Sequence, residues 1–102
     1  MIILNYIVNV RELSSDKNYP QIKDMIGYKE PQKEKILSFL KSFEPVAMMA
    51  HGIKDYVTGS QDNGETVQLF NYGQWFWTNE MIYHFEKYDL KLKTDFINSI
   101  IK

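Results

Sequence analysis

The chain contains no cysteine, which excludes disulfides and thiolate metal sites. Small secreted domains commonly depend on disulfides, so the expected compartment is the cytoplasm. Long hydrophobic runs are missing too. The most apolar stretch, Met1–Val10 (MIILNYIVNV), is too short to span a bilayer and lacks both a basic leading region and a small-residue cleavage site. It reads as structure, not as a leader or anchor, and no membrane contact is expected. There is no glycine-rich phosphate loop, no G-x-S-x-G elbow and no HxxxH or HxH spacing. No metal or cofactor is therefore expected. Nor is there an excess of positive charge: twelve Lys/Arg stand against thirteen Asp/Glu, for a net charge of −1. That balance disfavours nucleic acid as a partner.

What is present is aromatic. The 102 residues fit one domain. A hydrophobic content of 44 % with 15 % aromatics gives enough apolar area to offset the entropy of ordering the chain. The aromatics crowd into Phe70, Tyr72, Trp75, Phe76, Trp77, Tyr83 and Phe85. Charge is also uneven. Residues Met1–Phe43 hold seven Lys/Arg and five acids, whereas Glu44–Asp89 hold two Lys and seven acids. The acidic middle favours a basic partner.

Ile2–Val10 is β-branched and reads as a strand, with helical spacing of Ile3, Ile7 and Val10 as the alternative. Residues 1–19 form an N-terminal arm and residues 20–102 a compact core. Arg11–Tyr19 is polar and reads as a loop. Pro20 can open a short helix that Gly27 closes. Pro31–Ser42 is an amphipathic helix with Ile36, Leu37 and Leu40 inward, Phe39 and Phe43 beside them, and Lys33, Glu34, Lys35 and Lys41 toward water. Val46–Ala50 reads as a buried strand broken at His51-Gly52, and Tyr56–Thr58 as another. Ser60–Gly64 (SQDNG) is a turn signal. Thr66–Tyr72 and Trp75–Trp77 form a hairpin about Gly73-Gln74. Thr78 or Asn79 caps a helix running to Tyr88, with Met81, Ile82, Phe85 and Tyr88 as its apolar stripe. Thr94 caps the last helix, whose apolar face is Phe96, Ile97, Ile100 and Ile101. The expected fold is α+β: a small antiparallel meander of three to four strands packed by three or four short helices.

Three function classes follow. His51 and His84, the only histidines, are the one candidate acid–base pair, as in a small hydrolase or ribonuclease. Asp55, Glu65 and Glu80 are available carboxylates, but nothing in their spacing marks a glycosidase pair. The Trp75–Trp77 face, with both indoles on one side of a strand, is either core, an interface anchor, or the lining of a small-molecule site in a sensor domain. Stacking on nucleic acid would call for interleaved basic residues, and Lys87 alone lies nearby.

One longer pattern stands out. Asp55-Tyr56-Val57-Thr58-Gly59 is followed by Gly73-x-Trp75-x-Trp77, then Tyr83-His84-Phe85-Glu86-Lys87-Tyr88-Asp89-Leu90-Lys91-Leu92 and Phe96. From Gln32 to Ile101 this resembles a group of small bacterial proteins with an Asp-x-x-Thr-Gly turn, a glycine-aromatic-x-Trp strand and a YYxEKYxLxLPxxF helix-loop-helix. The chain departs from that pattern at Lys93, where proline is frequent, and in its longer N-terminal arm. Members of such groups often accompany contact-dependent or polymorphic toxins. The resemblance thus implies a non-enzymatic immunity protein that binds and neutralises a toxin domain, such as a nuclease. Asp55, Asp62, Glu65 and Glu80 would supply charge to the interface, and Trp75 and Tyr83 an aromatic anchor.

Overall fold

The computed structural model describes residues 4–14 and 16–101, and for residues 61–64 the backbone alone. The elements run α1 (Arg11–Ser14), a 3-10 turn (Ile22–Asp24), α2 (Lys33–Leu40), β1 (Ala47–Lys54), β2 (Gln61–Tyr72), β3 (Trp75–Thr78), α3 (Asn79–Tyr88) and α4 (Thr94–Ile100). The three strands form one antiparallel sheet in the order β1-β2-β3. The fold is the small α+β meander that the alternation of residues 66–77 suggests.

The β2–β3 hairpin turns at Gly73, whose φ of 58° suits a residue without Cβ. The Asn71 side chain braces the turn by donating to the carbonyls of Gly73 and Trp75. Phe70 pairs with Trp77 across the ladder, and their rings stack 6.1 Å apart. Trp77 is fully buried and donates from its indole N–H to the Leu40 carbonyl at 3.3 Å, tying the sheet to the end of α2. Phe39, Phe43 and Phe96 close around the same indole. β3 passes directly into α3. Thr78 is the N-cap, its hydroxyl accepting from the Met81 amide. Asn79 continues the ladder with its side chain, accepting from the Gln68 amide and donating to the Thr66 carbonyl.

The N-terminal segment differs from expectation. Residues 4–10 form neither a regular strand nor a helix. They make one parallel bridge, Tyr6 to Phe76. Phe76 donates to the Asn5 carbonyl and Ile7 donates to the Phe76 carbonyl. On the other side, Lys93 donates to the Ile7 carbonyl. Ile7, Val8, Val10 and Leu13 belong to the main core cluster. The part of the strand expectation that falls on Ile2 and Ile3 lies outside the described residues. The polar loop expected from Arg11 begins instead with the single turn of α1.

Further expectations are corrected. Val46–Ala50 is not a buried strand: Val46 is 61 % exposed and Met48 67 % exposed. An apolar five-residue run does not say whether a second layer covers it, and here β1 is an edge. Nor does His51-Gly52 end the strand. β1 runs on to Lys54, with register shifts against β2 on either side of Gly52. Finally, Tyr56–Thr58 is not a strand, and Ser60–Gly64 is not the turn. The turn spans Asp55–Ser60, and β2 already begins at Gln61. Gly59, at φ +83°, supplies its left-handed residue. Thr94 likewise does not cap α4; it is the first helical residue, and the N-cap position belongs to Lys93.

Candidate functional site

Two arrangements gather the functional candidates, a buried clasp and an open groove. The clasp is built on Asp55, only 4 % exposed. Its Oδ1 accepts from the amides of Val57 and Thr58 at 2.9 and 3.0 Å, the Asx-turn geometry that bends the chain locally. Its Oδ2 accepts from the Tyr83 hydroxyl at 2.7 Å and the Tyr88 hydroxyl at 2.5 Å, and Lys87 Nζ stands 3.8 Å away. Burial works to raise this carboxyl, but the hydrogen bonds from Tyr88, Tyr83, Thr58 and Val57 prevail and hold it well below the usual carboxylate range. The hydrogen bond to Asp55 in turn raises the Tyr88 hydroxyl.

Helical spacing explains why one helix can do this. Tyr83 with Lys87 and His84 with Tyr88 are i, i+4 pairs and share a flank of α3. His84 has no exposed surface. Its Nε2 accepts from the Tyr56 amide at 3.0 Å, and its Nδ1 lies 2.8 Å from the Glu80 carbonyl. These partners define a neutral ring protonated on Nδ1. Burial lowers its pKa, against the opposing pull of the Glu80 carbonyl and nearby acids. Glu80, also buried, accepts from the Lys54 amide at 2.9 Å. The Asp55–Gly59 turn and the Tyr83–Tyr88 helix, the two pieces most prominent in the sequence pattern, thus meet in one hydrogen-bonded unit.

The groove lies beyond the end of α2, between α3 and the β1–β2 face, with a volume of about 920 Å³. The buried side chains of Leu40, Ile53, Phe70 and Ile82 form its floor. The exposed carboxylates of Glu44, Glu65 and Glu86 stand around it, and Lys41 is its one cation, held by Glu86 at 3.0 Å. Tyr83 reaches both arrangements: its ring lines the groove and its hydroxyl belongs to the clasp.

The expected site residues therefore separate. Glu65 and Tyr83 line the groove. Asp55 and Glu80 do not present surface charge; both are interior acceptors holding the β1–β2 turn to α3. Trp75, 6 % exposed, packs edge-on against Phe96 and is not a surface anchor. The Trp75–Trp77 face is core and does not line the groove. The Asp62 side chain lies outside the described residues. His51 is exposed on β1 while His84 is enclosed with both ring nitrogens occupied, so His84 cannot reach a substrate in this conformation. Sequence reasoning missed Glu44, Glu86 and Lys41. Glu86 was legible, because it falls on the same helical face as Ile82 and Tyr83. Glu44 gave only its place in the acidic segment.

Among the described residues no cluster of His, Asp or Glu is arranged to hold a metal ion, and no helix is long and apolar enough to cross a membrane. Comparisons with protein-family models, curated proteins and solved structures found no match.

Proposed function

We propose that the protein is a non-enzymatic binding domain that seats a basic protein partner in the groove, and that the partner is a bacterial toxin domain which it neutralises as an immunity protein. The observation that carries this reading is the pairing of a buried apolar floor with a ring of exposed carboxylates. An apolar centre with a charged rim is the anatomy of a protein interface, and like charge around the rim speeds the approach of an oppositely charged partner. The resemblance of residues 32–101 to a group of small bacterial proteins, whose members often accompany toxins, suggests the biological role. Such a role requires occlusion of the toxin, not chemistry by this chain.

The test begins with the tagged protein as bait in its source cells, and continues with the captured partner purified. Reversing Glu65 and Glu44 (E65K and E44K together) is expected to slow association by about tenfold or more at low salt, with a smaller effect on dissociation. Both residues are exposed, so folding should survive. An unchanged association rate, or a partner that is acidic, would remove the groove from the account. A captured partner without toxic activity would leave a binding domain but end the immunity role.

A further inference from the structure

The groove already holds a cation of its own. Lys41, the cap residue that ends α2, and Glu86 of α3 both line it. Lys41 Nζ lies 3.0 and 3.1 Å from the two Glu86 oxygens, so the carboxylate presents both oxygens to one charge. An ammonium is a compact point charge and shares itself between them. A planar guanidinium meets the same fork with two parallel N–H···O bonds. As a tie between helices the pair contributes little, because its side chains are 50 and 52 % exposed. Lys33 already joins α2 to α3 by donating to the Glu86 carbonyl and to Asp89 Oδ1 at 2.9 and 2.8 Å.

Beside the fork lies the apolar floor. Ile82 sits one helical turn before Glu86 and on the same face of α3, and Leu40 directly precedes Lys41. Both are buried and line the groove. A ring of acids attracts any cation. A forked carboxylate next to an apolar floor selects one that is planar at its head and apolar along its stem. We propose that Glu86 recognises an arginine side chain of the basic partner and that Lys41 is its resident placeholder. The arginine displaces Lys41 into water, takes both Glu86 oxygens and lays its methylene stem along Ile82 and Leu40. This inference rests on the groove as the partner's seat and names the side chain that fills it.

The test titrates the peptide acetyl-Leu-Arg-Leu-amide into the isotope-labelled full chain, with acetyl-Leu-Lys-Leu-amide as reference. Physiological ionic strength limits the Debye length to about 8 Å. Amide shifts at Ile82, Tyr83 and Glu86 should report binding, about threefold or more tighter for the arginine peptide. Lys41→Met should tighten the arginine peptide about threefold, because its competitor is gone. Lys35→Met removes the same charge six residues and about 9 Å up the helix axis and should change nothing. Glu86→Gln should erase the preference for arginine and, in the double variant, the gain from Lys41→Met. The same spectra show that each variant is folded. Equal affinity for the two peptides overturns the proposal, as does the absence of any shift in the groove. So does a Lys41→Met variant that gains no more than Lys35→Met, or a gain that survives Glu86→Gln. None of these outcomes touches the seating of a whole protein in the groove, which the association rate of the variant reversed at Glu44 and Glu65 decides separately.

Discussion

Asp55 carries more of this structure than any other single polar residue, because one carboxylate satisfies two backbone amides and two phenols at the junction of a turn and a helix. Removing it leaves four part-buried donors without this acceptor, and an unmatched donor costs more than its hydrogen bond contributes net. Asp55→Ala is therefore expected to lower stability by about 3 kcal/mol, while Tyr83→Phe, losing one donor, should cost about 1 kcal/mol. Urea denaturation reads both, and a loss below about 0.5 kcal/mol for Asp55→Ala would mean the clasp is ornamental. The residue also sets an acid limit. Its folded pKa lies below that of the unfolded chain, so its contribution is full at neutral pH and fades below about pH 4. His84 acts at higher pH with the same sign. Burial keeps it neutral when folded, so the unfolded chain binds more protons once pH falls below the ordinary imidazole value of 6.5. The urea midpoint should thus fall between pH 7 and pH 5, and the His84→Gln variant should show a flatter slope over that window. An NMR titration that finds His84 protonating at or above its ordinary value would contradict the enclosed, neutral ring.

At the scale of elements, the sequence was most readable where pattern and burial agree. The α2 stripe of Ile36, Leu37 and Leu40 and the β2–β3 hairpin were legible because period and turn residues both pointed one way. Composition misplaced the β1–β2 turn, since SQDNG looks like a stronger turn than DYVTG, and only the Asp-x-x-Thr-Gly pattern set one at Asp55. What decides it is tertiary: Tyr83, Tyr88 and His84 hold Asp55 and Tyr56, and no local signal reports partners more than twenty-five residues away. The β1 run misled for the related reason that hydrophobicity does not reveal whether a layer covers a strand. Asn79 shows the same dependence on context. As a helix start it is unremarkable, but its amide stands in for the strand residue that β3 lacks opposite Gln68 and Thr66. Asn79→Ala should cost about 1–2 kcal/mol and expose the Gln68 amide to faster hydrogen exchange. If exchange at Gln68 is unaltered, the side chain is not extending the ladder.

For the whole molecule, the sequence conveyed an aromatic α+β domain with an acidic middle but not which acids are outside. Asp55 went inside because two amides and two phenols satisfy it there, and Glu80 because it accepts from the Lys54 amide, whereas Glu44, Glu65 and Glu86 were left to face the groove. Counting charge along a segment cannot separate the two sets. The N-terminal arm holds a parallel lesson. It looks like an appendage in the sequence, yet it closes the β3 edge and packs Ile7, Val8 and Val10 into the core with no exposure at all. A chain of this size has only some 5–15 kcal/mol of net stability, and a buried isoleucine accounts for a sizeable share of it. Ile7→Ala should therefore destabilise the entire domain by about 2–5 kcal/mol, and the protein should still unfold in one transition, because the arm, the sheet and the α3–α4 connection share hydrogen bonds as well as packing. Coincident melting curves from tryptophan fluorescence and far-UV circular dichroism would bear this out. If the arm were an independent strap, Ile7→Ala would instead release it in an early step that leaves the Trp77 emission unchanged, and the core would then have to be redrawn from residue 20 onward.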